Sequence, residues 1–96
     1  MNIVVNHLHF RDQVSAETLQ SFQSAVRLSV DAGASAARVL QVDEKHLILL
    51  LEFASQDLAD RVAREVGGPW MREHIVPLLA DGTQRSVGAV VASAAG

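Results

Sequence analysis

From Ile3 to Phe10 the side chains alternate, with Ile3, Val5, His7 and His9 on one face of an extended chain and Val4, Asn6, Leu8 and Phe10 on the other. This period of two predicts a strand whose polar residues divide between two environments. Ser15 then stands as a helix N-cap with Glu17 in the first turn. Leu19, Phe22, Val26 and Val30 recur at helical spacing until Gly33 supplies a stop, which predicts an amphipathic helix packed on a sheet. Two further strand-like runs, Ala36 to Val42 and His46 to Phe53, are joined by the charged tip Asp43, Glu44 and Lys45. In the second run Leu47, Leu49, Leu51 and Phe53 share one face and His46, Ile48, Leu50 and Glu52 the other. A strand this apolar on both sides is expected to be covered on both.

Ser55 caps a second predicted helix along the stripe Leu58, Val62 and Val66, with Ala59 and Ala63 at its edge. Gly67, Gly68 and Pro69 are expected to interrupt it, and a short segment restarts at Trp70. Pro77 ends that segment, Asp81 and Gly82 make a turn, and Arg85 to Ser93 reads as a last strand of valines and small residues.

The order strand, helix, strand, strand, helix, strand predicts one α+β domain over residues 1–96. It would be a ferredoxin-like βαββαβ arrangement, with a four-stranded antiparallel sheet and both helices on one face. The helices reach only one side of such a sheet. The other side is too apolar to stay wet, so a homodimer is expected, its two sheets enclosing a barrel-like core.

Composition narrows the function classes. The chain has 96 residues, 49% of them hydrophobic but only 4% aromatic, so its apolar mass is mostly Val, Leu and Ala, more than a thin core of this size requires. A net charge of −3 with eight scattered basic residues offers no footprint for nucleic acid. Without cysteine there is no disulfide, thiolate metal site or cysteine nucleophile. No apolar run has the length of a membrane span, and the N-terminus lacks the pattern of a signal peptide, so the expectation is a cytoplasmic protein with no membrane partner. A glycine-rich phosphate cradle and a nucleophile elbow are both missing, which argues against nucleotide hydrolysis and acyl transfer.

The stretch FASQDLADRVAREVGGPWMREHIVPLL, residues 53–79, carries a more specific signal. Opening on Phe53 directly after Glu52 at the end of the third strand, it continues through a helix and a small-residue break to an aromatic four residues before a histidine, Trp70 and His74. In this it resembles the dimeric α+β barrel superfamily, most closely the antibiotic biosynthesis monooxygenase-like group. The resemblance covers nearly the whole chain in element order. It implies a pocket between sheet and helices and, in the oxygenase members, cofactor-free oxygenation of planar aromatic, polyketide-type molecules. A strand-one asparagine reaches that pocket in such proteins, and Asn6 matches its place. In a haem-degrading branch a histidine near the end of the second helix ligates iron, as the context of His74 suggests, but where that branch has a tryptophan this chain has Arg64. The polyketide branch uses a tyrosine, and this sequence has none.

The candidate catalytic set is therefore Asn6, Trp70 and His74, with Leu8, Phe22, Val66 and Arg72 as substrate contacts and no cofactor. Trp70 can stack on a planar ligand or simply plug the core. His74, at i+4 from Trp70, can accept a proton or bond to a backbone carbonyl. Arg72 can meet an anionic group at the pocket mouth. His7 and His9 form an H-x-H pair able to chelate zinc if a third ligand such as Glu52 or His46 arrives from a neighbouring strand, but the expectation is polar residues in the dimer cleft and no metal. The rival to an oxygenase is a non-catalytic small-molecule-binding dimer, with a haem-binding relative behind both.

Overall fold

Strand β1, Asn2–His9, lies inside the sheet because it pairs on both edges in a computed structural model that describes residues 1–96. It runs antiparallel to β3, His46–Phe53, from Asn2 opposite Phe53 to His9 opposite His46. On its other side it pairs with β4, Gln84–Ala89, from Asn2 opposite Ala89 to His7 opposite Gln84. Strand β2, Ala36–Asp43, flanks β3, which gives the order β2-β3-β1-β4 of a ferredoxin-like sheet. Hairpin β2–β3 closes through Glu44 and Lys45, with the Lys45 N–H donating to Asp43 Oδ1 at 2.8 Å.

Helix α1, Ala16–Ala32, begins where extended Ser15 accepts the Thr18 N–H on its Oγ at 3.1 Å, and ends at Gly33, whose φ of 135° is open to glycine. A Cβ on Gly33 would also lie 3.2 Å from Leu58 Cδ1. Helix α2, Gln56–Val62, repeats the serine cap with Ser55 and the Leu58 N–H. Both helices cover the face of Val4, Asn6, Leu8, Leu47, Leu49, Leu51 and Phe53, and Phe22, Ala25, Ala59 and Val62 complete the core against it. Leu8 and Leu47 are fully buried, each contributing about 1.5–3 kcal/mol of hydrophobic transfer.

Three expectations need correction. Helix α1 buries Phe22, Ala25 and Ser29 and leaves Leu19 and Val30 partly exposed, so its inner face is rotated from the predicted stripe. Small residues let the helix sit close to the sheet, and a buried Ser29 is tolerated because its hydroxyl donates to the Ala25 carbonyl at 2.9 Å. The last strand stops at Ala89, since its partner β1 ends at Asn2. Only the Val90 N–H still finds a carbonyl, that of Met1 at 2.9 Å.

Contrary to expectation, Gly67–Pro69 do not break the helix. Residues Ala63–Gly67 form a π-helical turn leading directly into α3, Gly68–His74. Pro69 has no N–H to donate and its ring would crowd a regular helical turn, and the widened turn gives it room. The Gly68 N–H donates to the Ala63 carbonyl, and a Cβ on Gly68 would lie 2.7 Å from that oxygen.

The opposite sheet face has no helix over it. It carries aliphatic Ile3, Val5, Ile48 and Leu50, all half-buried, and exposed Leu40, with three histidines toward one end. No helix is long and apolar enough to cross a membrane.

Candidate functional site

Between the helix-covered sheet face and the helices lies a cavity of about 210 Å³. Its floor is Val4 and Asn6 of β1 with Leu49 and Leu51 of β3. Its walls come from α1, α2, the π turn and α3, and Thr83 and Arg85 close the β4 side. The lining is mostly apolar, as a small-molecule site usually is.

Asn6 is the polar group at the floor. It is 8% exposed, and its carboxamide makes no hydrogen bond with any other residue. No sealed side-chain polar atom in the structure lacks a hydrogen-bond partner, so the free polar atoms of this amide are the ones open to the cavity. An unpartnered amide aimed into a cavity is therefore a donor and acceptor held ready for a ligand. Alternation put it there, since Val4, Asn6 and Leu8 share the helix-facing side of β1.

Trp70 walls the cavity from α3. Its indole meets Phe22 edge-on, with ring centroids 5.4 Å apart at 62°, a contact that fixes the ring plane. The π turn brings it there. A regular helix from α2 onward would advance residues 68–74 at a different rotation, so the widened turn decides which face of α3 meets the sheet.

Arg72 and Arg85 are the only charged residues in the lining, and both are exposed at the cavity mouth beside the partly exposed Leu28 and Val76. No carboxylate or imidazole lines the cavity. The arrangement can hold a planar apolar body, hydrogen-bond one polar substituent at depth and attract an anionic group at the mouth.

Of the residues expected in the site, Asn6, Trp70, Val66 and Arg72 converge on this cavity. His74 does not. Its ring lies 5.1 Å from that of Trp70 but outside the lining, half-exposed and 3.9 Å from Glu73. Leu8 is sealed in the core, and Phe22 supports Trp70 from behind and faces a separate groove beside β2. Sequence reasoning missed Arg85, whose entry follows from its register opposite Asn6. Thr83 and the small residues Ala25, Ala59 and Ala63 were likewise invisible as lining.

The sequence matches no protein-family model and no curated protein. Solved structures do match. An antibiotic biosynthesis monooxygenase superposes with a TM-score of 0.73 at 14% identity, covering 96% of this chain and 100% of that one. SnoaB, a cofactor-independent oxygenase from Streptomyces nogalater, gives a TM-score of 0.79 at 12% identity over 96% of this chain and 94% of its own. The chain has the same ferredoxin-like fold as these structures. MhuD, with two manganese protoporphyrin IX molecules bound per active site, shares that fold at a TM-score of 0.63 and 14% identity over the full length of both chains. In fold this chain thus resembles both a cofactor-independent oxygenase and a protein solved with protoporphyrin bound.

Proposed function

We propose that the protein is a cofactor-independent monooxygenase-like enzyme acting on a planar, acidic aromatic of polyketide type, working as a homodimer joined through the open sheet face. The observation that carries this reading is the unpartnered Asn6 carboxamide, more than nine-tenths buried and facing an apolar cavity walled by Trp70. Trp70 stacks on the ring system, Asn6 bonds a carbonyl or phenolic oxygen, and Arg72 and Arg85 hold the substrate as its anion.

The lining supports a substrate that ionises readily. With no carboxylate or imidazole in the cavity, proton loss is favoured by the two guanidinium groups, and the proton leaves to water at the open mouth. The carbanion then transfers one electron to dioxygen, and recombination gives a peroxide. Loss of water leaves a carbonyl, so a ring CH2 and O2 become C=O and H2O without a bound cofactor.

The same lack of a base in the cavity also supports a second reading, a non-catalytic binder of planar anions. The two part in one experiment, in which anthrone- and naphthol-type compounds are titrated while the sole tryptophan's fluorescence and dissolved oxygen are followed together. Saturable quenching with oxygen uptake that Asn6→Ala abolishes supports the oxygenase. Quenching without uptake supports the binder, and neither signal with any planar anion rejects both. Haem fits the residues poorly, because His74 is not among the residues lining the cavity.

A further inference from the structure

On the uncovered sheet face, away from the cavity, His7, His9 and His46 meet. His7 and His9 alternate onto that face of β1, and β3 places His46 directly opposite His9. The His7 Nδ1 and His46 Nε2 atoms are 3.1 Å apart. The His9 and His46 rings stack with centroids 4.2 Å apart, and one nitrogen from each of the three rings lies within 4.8 Å of the others. All three side chains are half-buried.

We propose that these three imidazoles form a binding site for a borderline divalent transition metal ion of the zinc class. A tetrahedral zinc with Zn–N bonds of about 2.0–2.1 Å has nitrogen–nitrogen edges of about 3.3–3.4 Å. The His7–His46 edge has nearly that length already. The widest edge needs a closure of about 1.5 Å, which rotations about χ1 and χ2 of a half-buried imidazole supply. Two of the ligands sit on one strand and the third on its hydrogen-bonded neighbour, so the backbone holds the set together before the ion arrives, and little ordering entropy is lost on binding.

The donor set selects the metal class. Three neutral nitrogens suit zinc, copper, nickel or cobalt and disfavour magnesium and calcium, which demand oxygen. Asp43, the nearest carboxylate by register, pairs opposite His46 but turns its Oδ1 to the Lys45 N–H. The fourth position faces outward from the sheet and takes a water molecule in a single chain. His74 lies on α3, across the sheet, and plays no part.

The test uses tag-free full-length protein stripped with a chelator. Cobalt(II) titrated in is expected to develop the intense visible bands of tetrahedral coordination at one ion per chain, and zinc, measured by competition with a chromophoric chelator, to displace it. His46→Gln and His7→Gln each lower zinc affinity by about 100-fold or more, while His74→Gln leaves it unchanged. Zinc also raises the Tm of the wild type and not that of His46→Gln, a readout that stands if His7→Gln folds poorly. Wild-type protein that gives no cobalt bands and binds no zinc at tens of micromolar overturns the site, as does zinc binding that survives in His46→Gln.

Discussion

Asn6 of β1 and Arg85 of β4 are register partners, so a carboxamide at the floor of the cavity and a guanidinium at its mouth enter the same space from adjacent strands. One ligand spanning both needs an apolar body with a hydrogen-bonding group at depth and a negative charge near solvent.

The charge preference is open to direct measurement. Arg85→Gln is expected to weaken binding of an anionic planar aromatic about five- to tenfold, the modest size reflecting a guanidinium that solvent screens. The neutral methyl ester of the same compound should lose almost nothing. Trp70 fluorescence titrations of both compounds decide it, and equal losses for the two would refute the anionic assignment.

Asn6→Leu separates stability from binding. The amide has no partner in the protein, so replacing it with an apolar side chain of similar size should leave the fold unchanged or more stable by about 1 kcal/mol. Ligand binding should fall by tenfold or more, in line with about 1–3 kcal/mol for a lost buried hydrogen bond. Urea unfolding beside ligand titration checks both, and marked destabilisation would mean that Asn6 has a structural partner.

The π turn depends on Gly68. Adding a methyl group 2.7 Å from the Ala63 carbonyl oxygen forces the backbone to shift, and Gly68→Ala should cost about 1–3 kcal/mol and alter the Trp70 emission spectrum. Gly82→Ala, where a Cβ meets nothing within 4 Å, is the matched control and should be nearly neutral. Thermal unfolding followed by tryptophan fluorescence gives both quantities.

Leu8 belongs to the core and not to the cavity. Leu8→Ala should destabilise the protein by about 2–5 kcal/mol, from lost transfer energy and an unfilled void. Ligand affinity, measured well below the variant's Tm, should remain near that of the wild type. A weakened affinity with unchanged stability would return Leu8 to the list of substrate contacts.

The proposed dimer is tested on the open sheet face, where Leu50 of β3 lies between Arg38 of β2 and Val5 of β1. Leu50→Lys sets an ammonium beside the Arg38 guanidinium and should convert a dimer to monomer in sedimentation experiments at micromolar concentration, because adjacent unpaired like charges are poorly accommodated in an interface. A wild-type chain that sediments as a folded monomer would remove the assembly and leave the cavity, which one chain builds by itself.

Much of the fold was legible because its signals are local. Serine at positions 15 and 55 caps the helices as expected, and the run from His46 to Phe53 became β3 with those bounds. Alternation separated Asn6 from His7 and His9, and the resemblance to the monooxygenase-like group sent Asn6 toward the helices, where it lies. The site was only partly legible. Trp70 and His74 share a helical face by spacing, yet the cavity takes in Trp70 and Arg72 and leaves out His74, because the rotation of α3 is set by the π turn and by packing on Phe22.

The amino-acid order by itself determined the strand and helix sequence, the caps, and which residues share a face of each strand, since each of these follows from patterns within a few residues. Tertiary structure decided what meets across the strands: Asn6 with Arg85 at the cavity, and His46 with His7 and His9 on the open face. Those meetings depend on register between segments dozens of residues apart, and register is fixed only when the whole apolar face is buried at once.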